Sequence, residues 1–439
     1  MTLTPDKPQV AAQPRTSSPS PSAARPGKGR PVELVVDLRT LRSLGRPDAR
    51  AATGLAHRYS IHGIVTVGST VLLKELEPFR SDELEGPFDI EVRPGDIGRG
   101  SMRRRTRMTQ YMSPAGVTYE EHLGRRGSDF AIELGDTIQV VVGPMLVRSP
   151  HVLYTNIIEA LLRFVMVSRG YMLLHSACLE LEGRGVMLSA RTDTGKTGTI
   201  LRLLRENDAR FLSDDMTIID REGVALTYPK PLTISEHTLR AVNAGDLSKK
   251  EWRKLRVQSR LHSKEGRGIG TWLGDQNLPI MSMNALTQYV VPPPKYTVDR
   301  LVPTTMARTV RVEELFIIER NPLELAPLDP SGLVDELIAN TDDAYGFPPY
   351  RYVAPALVVD GMGYEELLVN ERSILTDFLT GIRARRLATP DFSWADRIPA
   401  LVRGDAPAVP EQRSQEVEID LRSTTTDAAQ TPASPAVTD

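Results

Sequence analysis

One stretch of this chain, GVMLSARTDTGKTGTILRLL (Gly185–Leu204), constrains its fold more than any other. An apolar run leads into a loop that ends in Gly195, Lys196 and Thr197, and an amphipathic pattern follows. This order is typical of the phosphate-binding pattern G-x-x-x-x-G-K-[ST]. In that pattern, backbone N–H groups at a helix N-terminus surround the phosphates, the lysine reaches the β and γ oxygens, and the hydroxyl binds Mg²⁺. Ala190 occupies the first glycine position, where a methyl group fits if φ is negative.

The whole octamer ARTDTGKT is therefore a predicted binding loop for ATP. An acid inside it, Asp193, is unusual because it lies near the expected phosphate charges. The predicted nucleotide-binding residues are Ala190, Arg191, Thr192, Asp193, Thr194, Gly195, Lys196 and Thr197.

Composition limits the partners of such a site. The chain has 439 residues, 40% hydrophobic and 25% charged, with a formal net charge of −2. This is a globular composition, and its balanced charge argues against nucleic acid as the main partner. Cys178 is the single cysteine, which excludes an internal disulfide framework and a cysteine-based zinc site. We expect a cytoplasmic protein, because the N-terminal stretch has no apolar segment typical of a secretory signal.

The longest apolar region runs from Tyr154 to Ala177 and includes Glu159, Arg163 and Arg169. These charges argue against a membrane span. The region instead predicts a buried helix followed by a strand.

Composition also divides the chain into four parts. Residues 1–30 and 404–439 are rich in Pro, Ser, Ala and Thr and are predicted to be disordered tails. Residues 31–150 are predicted to form a β-rich N-terminal domain, and residues 151–403 alternate strands and helices in the manner of an α/β domain. The β-like runs of the first block are YSIHGIVTV, TVLLKEL, FDIEV, DFAIEL and TIQVVV.

Two adjacent acids follow the helix of the phosphate-loop pattern. ARFLSDDMTIID predicts a strand, the pair Asp214 and Asp215, and another strand. In open α/β sheets, ligands bind beyond the carboxyl ends of the strands, so one carboxylate there can hold Mg²⁺ and its neighbour can accept a proton from a hydroxyl. The alternative is that the pair only caps a turn.

These features together resemble a known family. LLHSACLELEGRGVMLSARTDTGKT, followed by RFLSDDMTIID, is similar to the catalytic core of HPr kinase/phosphorylase, a P-loop fold related to phosphoenolpyruvate carboxykinases. The resemblance covers residues 173–220. It implies that Lys196 binds phosphate, that Thr197 and Asp214 hold Mg²⁺, and that Asp215 is the catalytic base. His175 would line the site near the transferred group, although a histidine on an apolar strand is otherwise typical of a protein core.

The chain also departs from this family. Ala190 and Asp193 replace two glycines of the family's loop. The family's downstream signature, which contains a metal-binding glutamate, is not found after Ser235; Glu236 lies in that neighbourhood but in the wrong surroundings. Substrate recognition therefore does not transfer, and the sugar-transport phosphocarrier is not the expected acceptor.

Other basic residues fit either a binding role or a solvated surface. Lys230, in the predicted edge strand YPKPLTIS, would face the ligand or the solvent. The basic segment Lys249–Gly268 would act as a lid over phosphates or as an exposed helix. The arginines at 99, 103–105 and 107 would form a solvated loop or meet an acidic partner.

The predicted fold class is α/β, with a P-loop core of the HPr-kinase type behind a β-rich N-terminal domain. The predicted function is an Mg²⁺- and ATP-dependent kinase that transfers the γ-phosphate to a hydroxyl of a protein serine or a small molecule. The alternative is a nucleotide-binding regulatory or scaffolding module with weak catalysis. A homo-oligomer is left open.

Overall fold

The computed structural model describes residues 32–40, 54–97, 106–113, 115–123, 126–191, 194–233, 279–290, 292, 295–345 and 349–405. Several sequence predictions fall outside these residues. They concern residues 1–30, the tail beyond residue 405, the basic residues 99–105, the segment Lys249–Gly268, Glu236, and the loop residues Thr192 and Asp193.

An eight-stranded mixed sheet is built from the first part of the chain. Its strand order is β1-β5-β6-β9-β10-β4-β3-β2. Val, Ile and other apolar residues alternate toward one buried face, as in Ile138, Val140 and Val142. The strands of this part are β1 Glu33–Thr40, β2 His57–Ile61, β3 Val65–Ser69, β4 Ile90–Pro94, β5 Arg107–Ser113, β6 Ala115–Glu120, the short pair β7 His122–Leu123 and β8 Arg126–Gly127, β9 Phe130–Glu133 and β10 Ile138–Val142.

A ten-stranded sheet dominates the rest of the chain. Its main order is β11-β15-β16-β20-β13-β12-β14-β19, and β24 pairs with β20 and β21. Two short pairs, β17 with β18 and β22 with β23, lie outside it. The strands are β11 Tyr171–Leu174, β12 Ala177–Leu181, β13 Arg184–Ser189, β14 Ala209–Ser213, β15 Thr217–Asp220, β16 Val224–Leu226, β17 Leu232–Thr233, β18 Lys295–Tyr296, β19 Thr305–Met306, β20 Thr309–Arg320, β21 Glu324–Pro327, β22 Val358–Val359, β23 Met362–Gly363 and β24 Arg383–Thr389.

Helices cover both faces of this sheet. The chain forms a π-helical turn at Tyr154–Ile158 and 3₁₀ turns at Lys74–Phe79 and Ala354–Ala356. The α-helices are α1 Pro144–Arg148, α2 Pro150–Leu153, α3 Glu159–Ser168, α4 Lys196–Glu206, α5 Ile280–Val290, α6 Val298–Leu301, α7 Pro330–Tyr345, α8 Tyr350–Val353, α9 Tyr364–Phe378 and α10 Trp394–Arg403.

Two apolar cores result from this layering. The larger core lies between the two sheets and includes residues from both, such as Val67, Phe130 and Leu173. The smaller core lies on the other face of the second sheet, where Ile200 of α4 and Trp394 of α10 are buried. The chain thus has mixed α/β content with large mixed sheets, as the sequence predicts.

The strand directions in the second sheet position the candidate site. β13 runs parallel to β20, and β20 runs parallel to β24. β12 is antiparallel to both β13 and β14, so β14 points the same way as β13. The carboxyl ends of β14, β13, β20 and β24 therefore meet at one edge of the sheet.

Local predictions around the site are mostly confirmed. β12 and β13 form a hairpin, with Glu182 and Gly183 at φ 53° and 80° in the two-residue turn. The predicted helix is α4, and the Asp pair lies between β14 and β15. The apolar region that begins at Tyr154 forms a buried helix followed by β11.

One local prediction is wrong. TVLLKEL is a loop and a 3₁₀ turn rather than a strand, and the buried Glu75 in it bonds side chains of other elements. The apolar run MLLHSACLEL forms two strands, β11 and β12, and His175 and Ser176 between them make buried hydrogen bonds.

One helical run has the length and composition of a membrane span. Pro150–Ser168 is 19 residues long with a mean hydropathy of 1.2, and 78% of it is buried inside the structure. A buried core helix meets the same criteria, so this run is weak evidence for a span.

Candidate functional site

The loop between β13 and α4 begins at the carboxyl edge of the sheet, and α4 begins at Lys196. The preceding residue, Gly195, has φ 132°, a conformation that strongly favours glycine. Ala190 follows β13, is 2% exposed and belongs to the smaller core. It is not among the non-glycine residues with positive φ in the described part of the chain. Arg191 is exposed, and Thr194 donates its hydroxyl to the Arg191 carbonyl at 2.8 Å.

Lys196 is directed inward, where it contacts His175. The Lys196 Nζ lies 3.0 Å from the His175 Nε2 and 3.0 Å from the Ala190 carbonyl oxygen. His175 Nδ1 lies 2.9 Å from the carbonyl oxygen of Asn340, which can only accept, so Nδ1 carries the proton and Nε2 accepts from the lysine.

The pKa values of this pair follow from their surroundings. Burial, and then the Lys196 ammonium, lower the pKa of His175, so the neutral imidazole is the dominant form at pH 7. Burial also lowers the pKa of Lys196, while the carboxylates of Asp215 and Asp214 act in the opposite direction.

Thr197 contacts the first acid of the pair. Its hydroxyl donates to Asp214 Oδ2 at 2.7 Å. The other oxygen, Oδ1, is buried and accepts no hydrogen bond from any residue that the structure describes. Burial, and repulsion from Asp215, raise the pKa of Asp214 to about 6 even though the Thr197 hydrogen bond lowers it. A buried carboxylate oxygen with an open coordination position beside a threonine hydroxyl is a suitable ligand set for Mg²⁺.

Asp215, the second acid of the pair, has a left-handed backbone, with φ 77°. Strained backbone of this kind occurs often at functional sites. Its carboxylate accepts a hydrogen bond from Lys230 Nζ at 2.9 Å and lies 3.8 Å from His175 Nε2. The Asp215 side chain is 59% exposed, whereas Lys230 is 8% exposed.

Desolvation by the surrounding protein raises the pKa of Asp215, but the ammonium groups of Lys230 and then of Lys196 outweigh that effect and hold the pKa below its usual value. Burial lowers the pKa of Lys230, and the carboxylates of Asp215 and Glu159 outweigh that effect and raise it. Asp215 is therefore ionised at neutral pH, next to a fixed ammonium group.

The sequence did not identify the residues that hold Lys230. Its ammonium also donates to Glu159 Oε1 at 2.5 Å, and Glu159 accepts from the Tyr154 hydroxyl at 3.1 Å. The Tyr154 and Tyr228 hydroxyls are 2.5 Å apart. The sequence signal was Glu159 itself, a charged residue in a stretch predicted to be a buried helix, because a buried acid requires a partner.

Most of the predicted site residues therefore come together. The structure places His175, Lys196, Thr197, Asp214 and Asp215 in one polar cluster, with Ala190 and Gly195 in the adjoining loop, and Lys230 faces that cluster rather than solvent. Within the described ranges, no three His, Cys, Asp or Glu side chains converge as a metal-binding group.

Comparison with models of protein families gave no match, and comparison with curated proteins also gave none.

Proposed function

We propose that this chain binds Mg·ATP through an HPr-kinase-like P-loop core and transfers the γ-phosphoryl group to a hydroxyl of a protein serine or a small molecule. One observation carries the proposal. Lys196, the Thr197–Asp214 pair and Asp215 converge at the N-terminus of an 11-residue helix, at the carboxyl edge where ligands of α/β sheets bind.

The negative charge of the ATP phosphates is complementary to the positive groups at the N-terminus of α4. The N-terminal N–H groups of α4 favour an anion, and the Lys196 ammonium is held by two neutral acceptors, the His175 ring and the Ala190 carbonyl. Phosphate oxygens are stronger acceptors for an ammonium than these neutral groups. We therefore expect Lys196 to exchange these neutral partners for phosphate oxygens when the nucleotide binds.

Thr197 and Asp214 fit Mg²⁺, because Oδ1 of Asp214 is a buried carboxylate oxygen with no described donor. When bound, Mg²⁺ would supply positive charge against the β and γ phosphates.

Asp215 is the proposed acceptor of the substrate's proton. In the transfer, the hydroxyl oxygen bonds to the γ-phosphorus, the bond to the β-phosphate oxygen breaks, ADP leaves, and the hydroxyl proton passes to the carboxylate. Lys230 holds that carboxylate in place at 2.9 Å, and neutral His175 lies within 3.8 Å of it. Because the transition state of phosphoryl transfer is loose, the position of the base matters more than its basicity.

A second function, nucleotide binding without efficient transfer, is supported by one observation. The pairing with Lys230 lowers the pKa of Asp215, and a carboxylate of low pKa is a weak proton acceptor. A regulatory or scaffolding module would need the nucleotide site but not a strong base.

Nucleotide binding is tested first, by calorimetry with Mg·ATP. We expect Lys196→Ala to weaken the affinity at least tenfold, about 1.4 kcal/mol, because it removes the ammonium directed at the phosphates. Lys74→Ala, at an exposed lysine outside the cluster, is the matched control and should bind as wild type does. Equal binding by wild type and Lys196→Ala would mean that the loop has only a structural role.

Transfer is tested with Asp215→Asn, by ADP release from Mg·ATP in the presence of serine peptides and hydroxyl-bearing metabolites. We expect ATP affinity to be kept and the transfer rate to fall on the order of 10²-fold or more. Lys230 retains its Glu159 partner in this variant, which preserves the local fold. Wild-type protein that binds Mg·ATP but never forms ADP would favour the regulatory function.

A further inference from the structure

An exposed aromatic side chain lies directly against the β13–α4 loop. Phe392, in the turn after β24, is a large apolar residue whose side chain is 52% exposed. A Cβ atom on Gly195 would come within 2.9 Å of its ring and 3.1 Å of Trp394. The loop is therefore packed against this aromatic pair, and only glycine fits at the contact.

Arg320, the last residue of β20, joins the ring to the loop. Its guanidinium carbon lies 4.2 Å from the centre of the Phe392 ring. Its Nε donates to the Thr194 carbonyl oxygen at 3.1 Å. The planar cation and the ring thus form a stack that is fixed relative to the loop.

Trp394 packs against the Phe392 ring of this stack. It is fully buried, its Nε1 donates to the Leu387 carbonyl oxygen at 3.1 Å, and its ring meets Phe392 edge to face at 5.7 Å. Because Trp394 already fills the core at this position, packing does not require Phe392 to be aromatic. The exposed ring is therefore better explained by a ligand than by the core.

The sheet topology gives the direction in which a nucleotide would lie. Along the shared carboxyl edge, β13 and its loop lie between β14 on one side and β20 with β24 on the other. Asp214 and Asp215 follow β14, whereas Arg320 ends β20 and Phe392 follows β24. The acidic, phosphate-transferring groups and the aromatic stack are therefore on opposite sides of the loop.

We propose that Phe392 and Arg320 form a stacking platform for the purine base of the nucleoside triphosphate whose phosphates occupy the β13–α4 loop. This inference rests on the proposed function, because it requires phosphates in that loop. Aromatic rings and guanidinium planes stack on bases through their π faces. The γ-phosphate would then point toward Asp215 and the base toward Phe392.

The experiment compares two probes, Mg·ATP and Mg·tripolyphosphate, which carries the phosphates without the base. We expect wild type to bind ATP more tightly than tripolyphosphate, and Phe392→Ala to weaken ATP binding about tenfold or more while tripolyphosphate binding stays within twofold. Phe392→Leu, which keeps apolar bulk, should lose ATP affinity as well, and Phe392→Tyr should retain it. Val369→Ala, at a side chain 70% exposed on α9, is the control and should change neither affinity.

The outcomes separate this inference from the proposed function. Wild type that binds both probes equally, or Phe392→Ala and Phe392→Leu variants that bind ATP as wild type does, would overturn the platform and leave the phosphate site in place. Wild type that binds neither probe would overturn both proposals. A parallel loss of both affinities in the variants would show that Phe392 only shapes the loop, and would also overturn the platform.

Discussion

At the scale of single residues, the two ends of the β13–α4 loop have different requirements. Gly195 must be glycine, because φ is 132° and a Cβ would collide with Phe392. Ala190 has no such restriction, since its φ is not positive and its methyl group is buried among Leu188 and Ile200. The absence of glycine at the first position is therefore compatible with the backbone of the loop.

This difference predicts the effect of Ala190→Gly. We expect the free energy of unfolding to fall by about 1 kcal/mol, because glycine gains freedom in the unfolded chain and a buried methyl group is lost. The affinity for Mg·ATP should change by less than twofold. Urea denaturation and calorimetry measure the two effects, with Ala225→Gly in buried β16 as a control that has a similar cost. A severalfold gain in ATP affinity would instead identify the methyl group as a steric obstacle.

Local sequence patterns predicted the residues of the site better than the residues with which these form ion pairs. The loop and the Asp pair could be placed together because both follow predicted strands, and ligands of α/β sheets bind beyond the carboxyl ends of strands. His175 was placed with them only by the family resemblance. The Lys230–Glu159 pair could not be predicted, because its members are 71 positions apart and no local period relates them. Long-range ion pairs depend on tertiary packing, which residue patterns of period 2 or 3.6 do not encode.

At the scale of elements, the strands with clean alternation of apolar and polar residues were predicted correctly, whereas TVLLKEL was wrongly predicted to be a strand. Its buried residues, Val71, Leu73 and Leu76, fit a period of two only in part, and Pro78 ends the run. Glu75 inside it accepts from His151 at 2.8 Å and pairs with Lys295. A buried acid with partners from distant elements changes the local structure in a way that the apolar pattern alone does not predict.

A buried carboxyl group makes some of the hydrogen bonds that attach helix α5 to the first block of the chain. Glu121, 1% exposed, accepts from the backbone N–H of Ser282 at 2.6 Å and from the Tyr119 hydroxyl at 2.9 Å. Burial raises the pKa of Glu121 to about 7, although these hydrogen bonds lower it, and the nearby Asp129 adds a smaller rise. The group is therefore partly protonated near neutral pH.

This raised pKa predicts a pH-dependent stability. Because the folded state holds the proton more tightly than the unfolded state, the stability from Glu121 is fully present below its usual pKa of 4.5 and is lost as pH rises through about 7. Relative to Glu121→Gln, we expect wild type to lose up to about 3 kcal/mol between pH 4.5 and pH 8. Urea unfolding of both proteins across this range measures the difference. Parallel curves would mean that Glu121 does not titrate there.

At the scale of the whole molecule, the two sheets share one apolar core. Phe79 from the first block stacks on Tyr228 from the second at 5.5 Å. His62 Nε2 lies 2.7 Å from the Thr227 carbonyl oxygen, and Arg169 pairs with Asp89 at 2.6 Å. The shift in composition near residue 150 predicted where one type of secondary structure gives way to another. It gave no information on this contact, because the contact joins residues far apart in the sequence.

The shared core predicts how a fragment of the chain would behave. Residues 151–403 alone would expose apolar side chains such as Ile157, Leu161 and Met172, which the larger core now buries together with residues of the first sheet. We expect this fragment to bind a hydrophobic dye and to lose cooperative thermal unfolding, whereas a chain that lacks only residues 1–30 should melt as the full chain does. Circular dichroism melting and dye fluorescence make the comparison. A fragment that unfolds cooperatively at the melting temperature of the full chain and binds Mg·ATP with unchanged affinity would show that the second block folds and functions without the first sheet.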